Sequence, residues 1–175
     1  MMAPGLRKLA LTIHVLSSVG WLGAVVSFLV LAVAGLTSTN PQLVRAAYLA
    51  MDLIGWFIIF PLSLASLLSG IVQALGTVWG LFRHYWVLIK LLITALASAL
   101  LLLHLQPVTH MAGIASASDL SPAAMTGMRG QLVADAGAAV IALLVATVLS
   151  VYKPRGTTRW GRTRATAMQG PSIRR

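Results

Sequence analysis

The sequence predicts an all-α protein, a transmembrane four-helix up-down-up-down bundle. The first observation is composition: 58% of the 175 residues are hydrophobic and only 9% are charged, which excludes an ordinary soluble domain. The second is a set of four apolar segments, each at least as long as the roughly 20 residues that a helix needs to cross a bilayer. The third is the short polar connection after each of the first two segments, because short connections make consecutive helices antiparallel neighbours.

The four predicted spans cover residues 9–36, 46–77, 86–106 and 131–152. The first span follows Lys8, and no charged residue occurs again before Arg45. It is too long and too uniformly apolar for a signal peptide, so we expect it to be retained. Asn40-Pro41 predicts a turn between the first two spans. The second span contains Pro61, which we expect to kink the helix.

The third span follows a short aromatic and basic turn, WGLFRHYW at 79–86, and Pro107 predicts its end. Small and polar residues at 107–130 predict the longest loop of the chain, with a short surface helix inside it as the alternative. The fourth span is rich in Ala and Val. Residues 153–175 hold seven of the thirteen Lys and Arg residues and show no hydrophobic periodicity. They predict a basic, disordered tail after a transmembrane domain of residues 1–152.

The distribution of Lys and Arg predicts the orientation of the bundle. Eleven of the thirteen lie at the two termini and in the segment 79–90, and two lie in the other loops. Because cations favour the cytoplasmic side, both termini are expected in the cytoplasm, with the protein in the cytoplasmic membrane. The net charge of +10 is mainly a property of the tail. This predicts contact with anionic lipid, at ~1 kcal/mol per cation, and not with nucleic acid.

His14 is the one ionisable residue within the first span, and Ser17, Ser18 and Trp21 fall on the same helix face. Lys90 lies about as far into the third span as His14 lies into the first, which predicts equal depth. An ionisable group inside a membrane helix is a functional hypothesis by default. The sequence therefore predicts a His14/Lys90 site that includes Trp21. The alternatives are a histidine packed against a serine hydroxyl and a lysine that snorkels to the interface.

A second polar cluster is predicted at the outer ends of the helices. Asp52, His104 and Asp135 are expected at similar depth, with His110 in the adjacent loop. Imidazole and carboxylate suit copper and zinc, so these four residues predict a metal site. The alternative is that the two aspartates cap helix N-termini. Because the chain has no cysteine, thiolate metal sites, iron–sulfur clusters and disulfides are excluded.

Histidines inside membrane bundles bind haem, bind other metals or carry protons. His14 and His104 lie at opposite ends of their helices, which disfavours a haem held between them. The interpretation that follows is a single-ligand haem b or porphyrin on His14, with Lys90 as second ligand or propionate partner. No nucleophile–base pair or phosphate loop is visible, which favours redox or cofactor handling over hydrolysis. Copper handling and a non-catalytic membrane partner subunit are the alternatives, and small-residue spacings are compatible with a homo-oligomer.

Two motifs resemble those of a group of small bacterial membrane bundles. They are H-x6-W-x-G, which begins at His14, and W-x3-K-L, which begins at Trp86. The group contains the HemJ-type protoporphyrinogen oxidases, the CopD-like copper-resistance domains and an uncharacterised family of four-helix integral membrane proteins. Chain length, four spans and YKPRG at 152–156 most resemble this last family, as found in actinobacteria. The resemblance covers most of residues 8–156 and implies a four-helix fold and, from the HemJ-type enzymes, haem binding through His14 and Lys90.

Overall fold

The computed structural model describes residues 2–76, 85–116 and 122–152, and these residues form helices without any strand. The four helices are α1 (Pro4–Thr37), α2 (Pro41–Gly76), α3 (Tyr85–Ser116) and α4 (Pro122–Tyr152). Each contains a segment long and apolar enough to cross a membrane. The predicted all-α fold is confirmed, and the chain is a multi-pass membrane protein. The predicted basic tail and most of the predicted turn at 79–86 lie outside the described residues.

The four helices occupy the corners of a square. α1 packs against α2 and α4, and α3 packs against the same two helices from the opposite corner. α1 and α3 therefore face each other across the interior of the bundle. We call the end that holds Pro4 and Tyr152 the proximal end, and the end that holds the short turn after Thr37 the distal end.

The second helix begins earlier than predicted because Asn40-Pro41 starts it. The Asn40 side-chain oxygen accepts hydrogen bonds from the backbone N–H groups of Gln42 (3.0 Å) and Leu43 (3.4 Å). Pro41 occupies the first helical position, where its missing N–H costs nothing. The predicted turn over 37–45 and the predicted start at Ala46 are therefore wrong, and only three residues separate α1 from α2.

The irregularity expected at Pro61 takes the form of a π-helical turn at Gly55–Ile59. Proline has no N–H, so the carbonyl four residues earlier loses its usual helical donor. Phe57, four residues before Pro61, lies inside the π turn, in which the Phe60 N–H reaches the Gly55 carbonyl, one residue further back than in an α-helix. Gly55 is also where α3 comes close, because a Cβ there would lie 2.8 Å from a Leu105 methyl carbon.

The third helix continues through Pro107 and ends at Ser116, so its predicted end at residue 106 is wrong. Leu105, Val108 and Met111 lie on both sides of this proline, and each has at most 2% of its surface exposed. A continuous helix keeps these side chains in the core. The fourth helix begins at Pro122, nine residues before the predicted start at 131. The long loop predicted over 107–130 is therefore mostly helix.

Buried apolar side chains fill the distal end and the middle of the bundle. The distal cluster is centred on Tyr48, which is completely buried, and contains Ala32, Val44, Met51, Val108, Met111 and Leu132. The middle cluster contains Trp21, Val25, Ile59 and Leu143. The proximal end carries polar side chains and a partly open cavity where the core would otherwise continue.

Candidate functional site

His14 is fixed by α2 through one of its two ring nitrogens. Nδ1 lies 3.1 Å from the Ser66 backbone carbonyl oxygen and 3.1 Å from Ser69 Oγ. The carbonyl only accepts, and Ser69 Oγ already donates to the Ala65 carbonyl at 2.6 Å. Nδ1 must therefore carry the proton and donate, which leaves Nε2 of the neutral ring with a free lone pair.

Nε2 of His14 faces Lys90. The Lys90 Nζ atom lies 3.1 Å from Nε2, so the amine donates and the ring accepts. This hydrogen bond joins α1 and α3, the two helices that do not pack side by side. The structure thus brings together the two residues for which the sequence predicts equal depth, and places their contact across the interior of the bundle.

Small and polar residues of α2 allow this close approach. Gly70 faces the imidazole directly, since a Cβ at this position would lie 3.2 Å from His14 Cε1. Ser18 and Ser66 share a hydrogen bond of 2.8 Å, and Gln73 Nε2 donates to the Ala10 carbonyl at 3.0 Å. The contact between α1 and α2 at the proximal end is therefore a polar seam, which fixes the height and rotation of the His14 ring.

A cavity of about 570 Å³ lies beside the His14–Lys90 pair, and all four helices contribute to its wall. This volume is in the range of pockets for small organic ligands, ~300–1,000 Å³. Most of the wall is aliphatic or aromatic and includes Trp21, which is only 3% exposed. The basic side chains in the wall are Arg7, His14 and Lys90, and no Asp or Glu of the described residues contributes to it.

The distal polar residues form two separate contacts. His104 Nε2 lies 3.0 Å from Asp135 Oδ2, an ion-pair distance that joins α3 to α4. Asp52 Oδ1 accepts a hydrogen bond of 2.6 Å from Thr109 on the other side of α3. His104 and Thr109 are five residues apart on α3, which separates them by ~140° around the helix axis, so His104 faces Asp135 on α4 while Thr109 faces Asp52 on α2.

The structure therefore brings two of the four residues of the predicted metal site into contact. Asp52 belongs instead to a chain in which Trp56 Nε1 donates to Thr109 Oγ1 at 3.1 Å and Thr109 donates to Asp52. His110 is exposed. Within the described ranges, no group of three or more His, Asp or Glu side chains is close enough to hold one metal ion.

Three residues of these networks were not predicted from the sequence. Ser69 and Gln73 follow Ser66 at helical spacing, so extending the polar face of α2 by one turn would have found them. Thr109 was assigned to a loop because Pro107 was interpreted as a helix end. A helix that continues through Pro107 would have placed Thr109 among the polar residues at the level of Asp52.

Comparison with protein-family models, with curated proteins and with solved structures finds no significant match to this chain. The resemblance to the HemJ-type and CopD-like bundles therefore stays a prediction from two short motifs, and function must be argued from the site itself.

Proposed function

We propose that this protein is a cofactor-handling bundle of the cytoplasmic membrane that binds haem b or a related porphyrin through His14. The observation that carries the proposal is an imidazole whose Nδ1 is fixed by a backbone carbonyl while Nε2 borders an apolar cavity of about 570 Å³. Histidines that bind metals show this pattern, because the second ring nitrogen is usually held by a carbonyl or carboxylate.

The residues around the cavity fit a porphyrin in three respects. His14 supplies an axial nitrogen, Trp21 and the aliphatic wall supply a surface for the ring, and Arg7 and Lys90 supply cations for its acidic groups. The Lys90 amine is hydrogen-bonded to His14 Nε2 at 3.1 Å, so this bond has to break before Nε2 binds a metal. Bound haem would supply one-electron redox chemistry.

The test is a haem titration of the purified protein in detergent, followed through the Soret absorption band. We expect one haem per chain in the wild type and at least about tenfold weaker binding in His14→Ala, the loss typical of a removed ligand contact. His104→Ala is the matched control, because it removes the other histidine that is held within a helix contact, and should bind haem normally. Absence of a Soret band in the wild type, or equal binding by His14→Ala, would refute the proposal.

A copper-handling role is the second candidate, and the His104–Asp135 contact of 3.0 Å favours it. An imidazole and a carboxylate at this distance are two of the donors that copper or zinc uses. We expect a copper titration to show at least about tenfold weaker binding in His104→Ala, with His14→Ala as the unaffected control. Equal copper affinity in the wild type and His104→Ala would remove this candidate.

A further inference from the structure

Besides His14, the wall of the proximal cavity contains two basic side chains, and none of the described residues in it carries a carboxylate. Arg7 is exposed at the edge of the cavity and Lys90 is part-buried inside it. The acids of the whole sequence are Asp52, Asp119 and Asp135. Asp52 and Asp135 are engaged at the distal end, and Asp119 belongs to the segment between α3 and α4, outside the described residues. Among the described residues, the nearest polar partner of the Lys90 amine is the His14 ring, which is neutral when it accepts this bond.

A cation held in an apolar environment without a counter-charge is unfavourable, and an anion that enters the same space relieves this cost. A cleft lined by one sign of charge with low-dielectric walls also attracts ligands of the opposite sign. The charge of the cavity therefore favours a ligand with an acidic group beside Lys90.

The rest of the wall favours a ligand whose remaining part is apolar. Leu11, Leu22, Leu67, Leu143 and Val151 line the cavity together with Trp21. A volume of about 570 Å³ accommodates one small organic molecule. The cavity is thus suited to a molecule with one acidic end and one compact or single-chain apolar part.

We infer that the proximal cavity binds a free amphipathic organic acid, with its acidic group at Lys90 and its apolar body against the aliphatic wall. A porphyrin with acidic side groups is one molecule of this class. The inference uses the same cavity as the haem proposal but does not require a ring or a metal, so the two can fail independently.

The experiment counts bound ligand by native mass spectrometry of the full chain released from a non-ionic detergent. The probes are dodecanoate and dodecanol, which have the same chain length and differ in charge. We expect one dodecanoate per chain, bound about 10- to 100-fold more tightly than dodecanol, the factor for a hydrogen bond to a charged group. Because this comparison uses the wild type, it does not depend on whether a variant folds.

The matched variants are Lys90→Met and Lys8→Met. Lys8 is an exposed cation at the proximal end that does not line this cavity. We expect Lys90→Met to bind dodecanoate about 10- to 100-fold more weakly and dodecanol unchanged, and Lys8→Met to behave as the wild type. Equal binding of acid and alcohol, an equal loss in both variants, or displacement of dodecanoate by equimolar phosphatidylglycerol would each overturn the inference. Failure of the wild type to bind haem would leave this inference standing, because it does not require a porphyrin ring or a metal.

Discussion

Gly35 and Gly23 of α1 differ in how much space a side chain would have at each position. A Cβ at Gly35 would lie 2.9 Å from Tyr48 Cζ, whereas a Cβ at Gly23 would have no atom within 4 Å. Tyr48 is completely buried and its ring lies 5.8 Å from the Arg129 guanidinium carbon, so it has little room to move. We expect Gly35→Ala to lower the free energy of unfolding by about 1–3 kcal/mol through overpacking.

Gly23→Ala is the control for this prediction, because it makes the same chemical change on the same helix. It should raise the free energy of unfolding by about 0.5–1 kcal/mol, because Ala is the better helix former and its Cβ meets no other atom. Thermal or denaturant unfolding in detergent measures both variants. Equal shifts for Gly35→Ala and Gly23→Ala would show that the Tyr48 contact does not limit the space at Gly35.

The sequence predicted the relative position of His14 and Lys90 better than that of the distal polar residues. Depth can be counted along a helix, whereas the rotation of the helix cannot. In the predicted spans, His14 and Lys90 each lie a few residues from the cytoplasmic start, so their equal depth follows from counting residues. The direction in which each side chain points depends on the rotation of its helix, which no residue count supplies. His104 and Asp52 have similar depth, yet they contact different helices because α3 presents Thr109, and not His104, to α2.

Prolines account for most of the errors in helix boundaries. Pro41 and Pro122 begin helices, and Pro107 lies inside one, whereas the sequence interpretation treated Pro41 and Pro107 as breaks. In water an unpaired carbonyl can be solvated, but inside a membrane the chain has to keep its backbone hydrogen bonds within the helix. A proline in an apolar segment is therefore weaker evidence of a helix end than the same residue in a soluble domain.

The π turn of α2 and the proline of α3 lie at neighbouring positions along their helices. Gly55 belongs to the π turn and contacts Leu105, which is two residues before Pro107. The Trp56–Thr109–Asp52 chain joins the same parts of α2 and α3. The π turn of α2 and Pro107 of α3 thus lie where the two helices supply polar and apolar contacts to each other, which is how such features are tolerated in membrane helices.

The whole bundle divides into a packed part and an open part. Tyr48, Met51 and Met111 are fully buried at the distal end, whereas the proximal end has a cavity beside the hydrogen bond that joins Lys90 of α3 to His14 of α1. The sequence predicted four helices and their alternating directions, since these follow from segment length and connection length. The cavity was not predicted, because it depends on how four helix faces fit together.

The distribution of charge predicts the orientation of the bundle. The cations near the membrane boundary are concentrated at the proximal end and in the segments that adjoin it, whereas Arg45 and Arg129 are the cations associated with the distal end. Because cationic segments are retained in the cytoplasm during insertion, we expect the proximal end to be cytoplasmic and the turn between α1 and α2 to face outward.

The absence of cysteine from the sequence makes this orientation directly measurable. Gly5→Cys and Thr39→Cys each place one thiol at an exposed position, the first at the proximal end and the second in the distal turn. A membrane-impermeant maleimide added to intact cells should label Thr39→Cys and should label Gly5→Cys only after the membrane is permeabilised. Neither substitution alters a cation, so the charge asymmetry that sets the orientation is unchanged. Labelling of Gly5→Cys in intact cells would place the cavity, with Lys90 and Arg7, on the outer side and would contradict the predicted orientation.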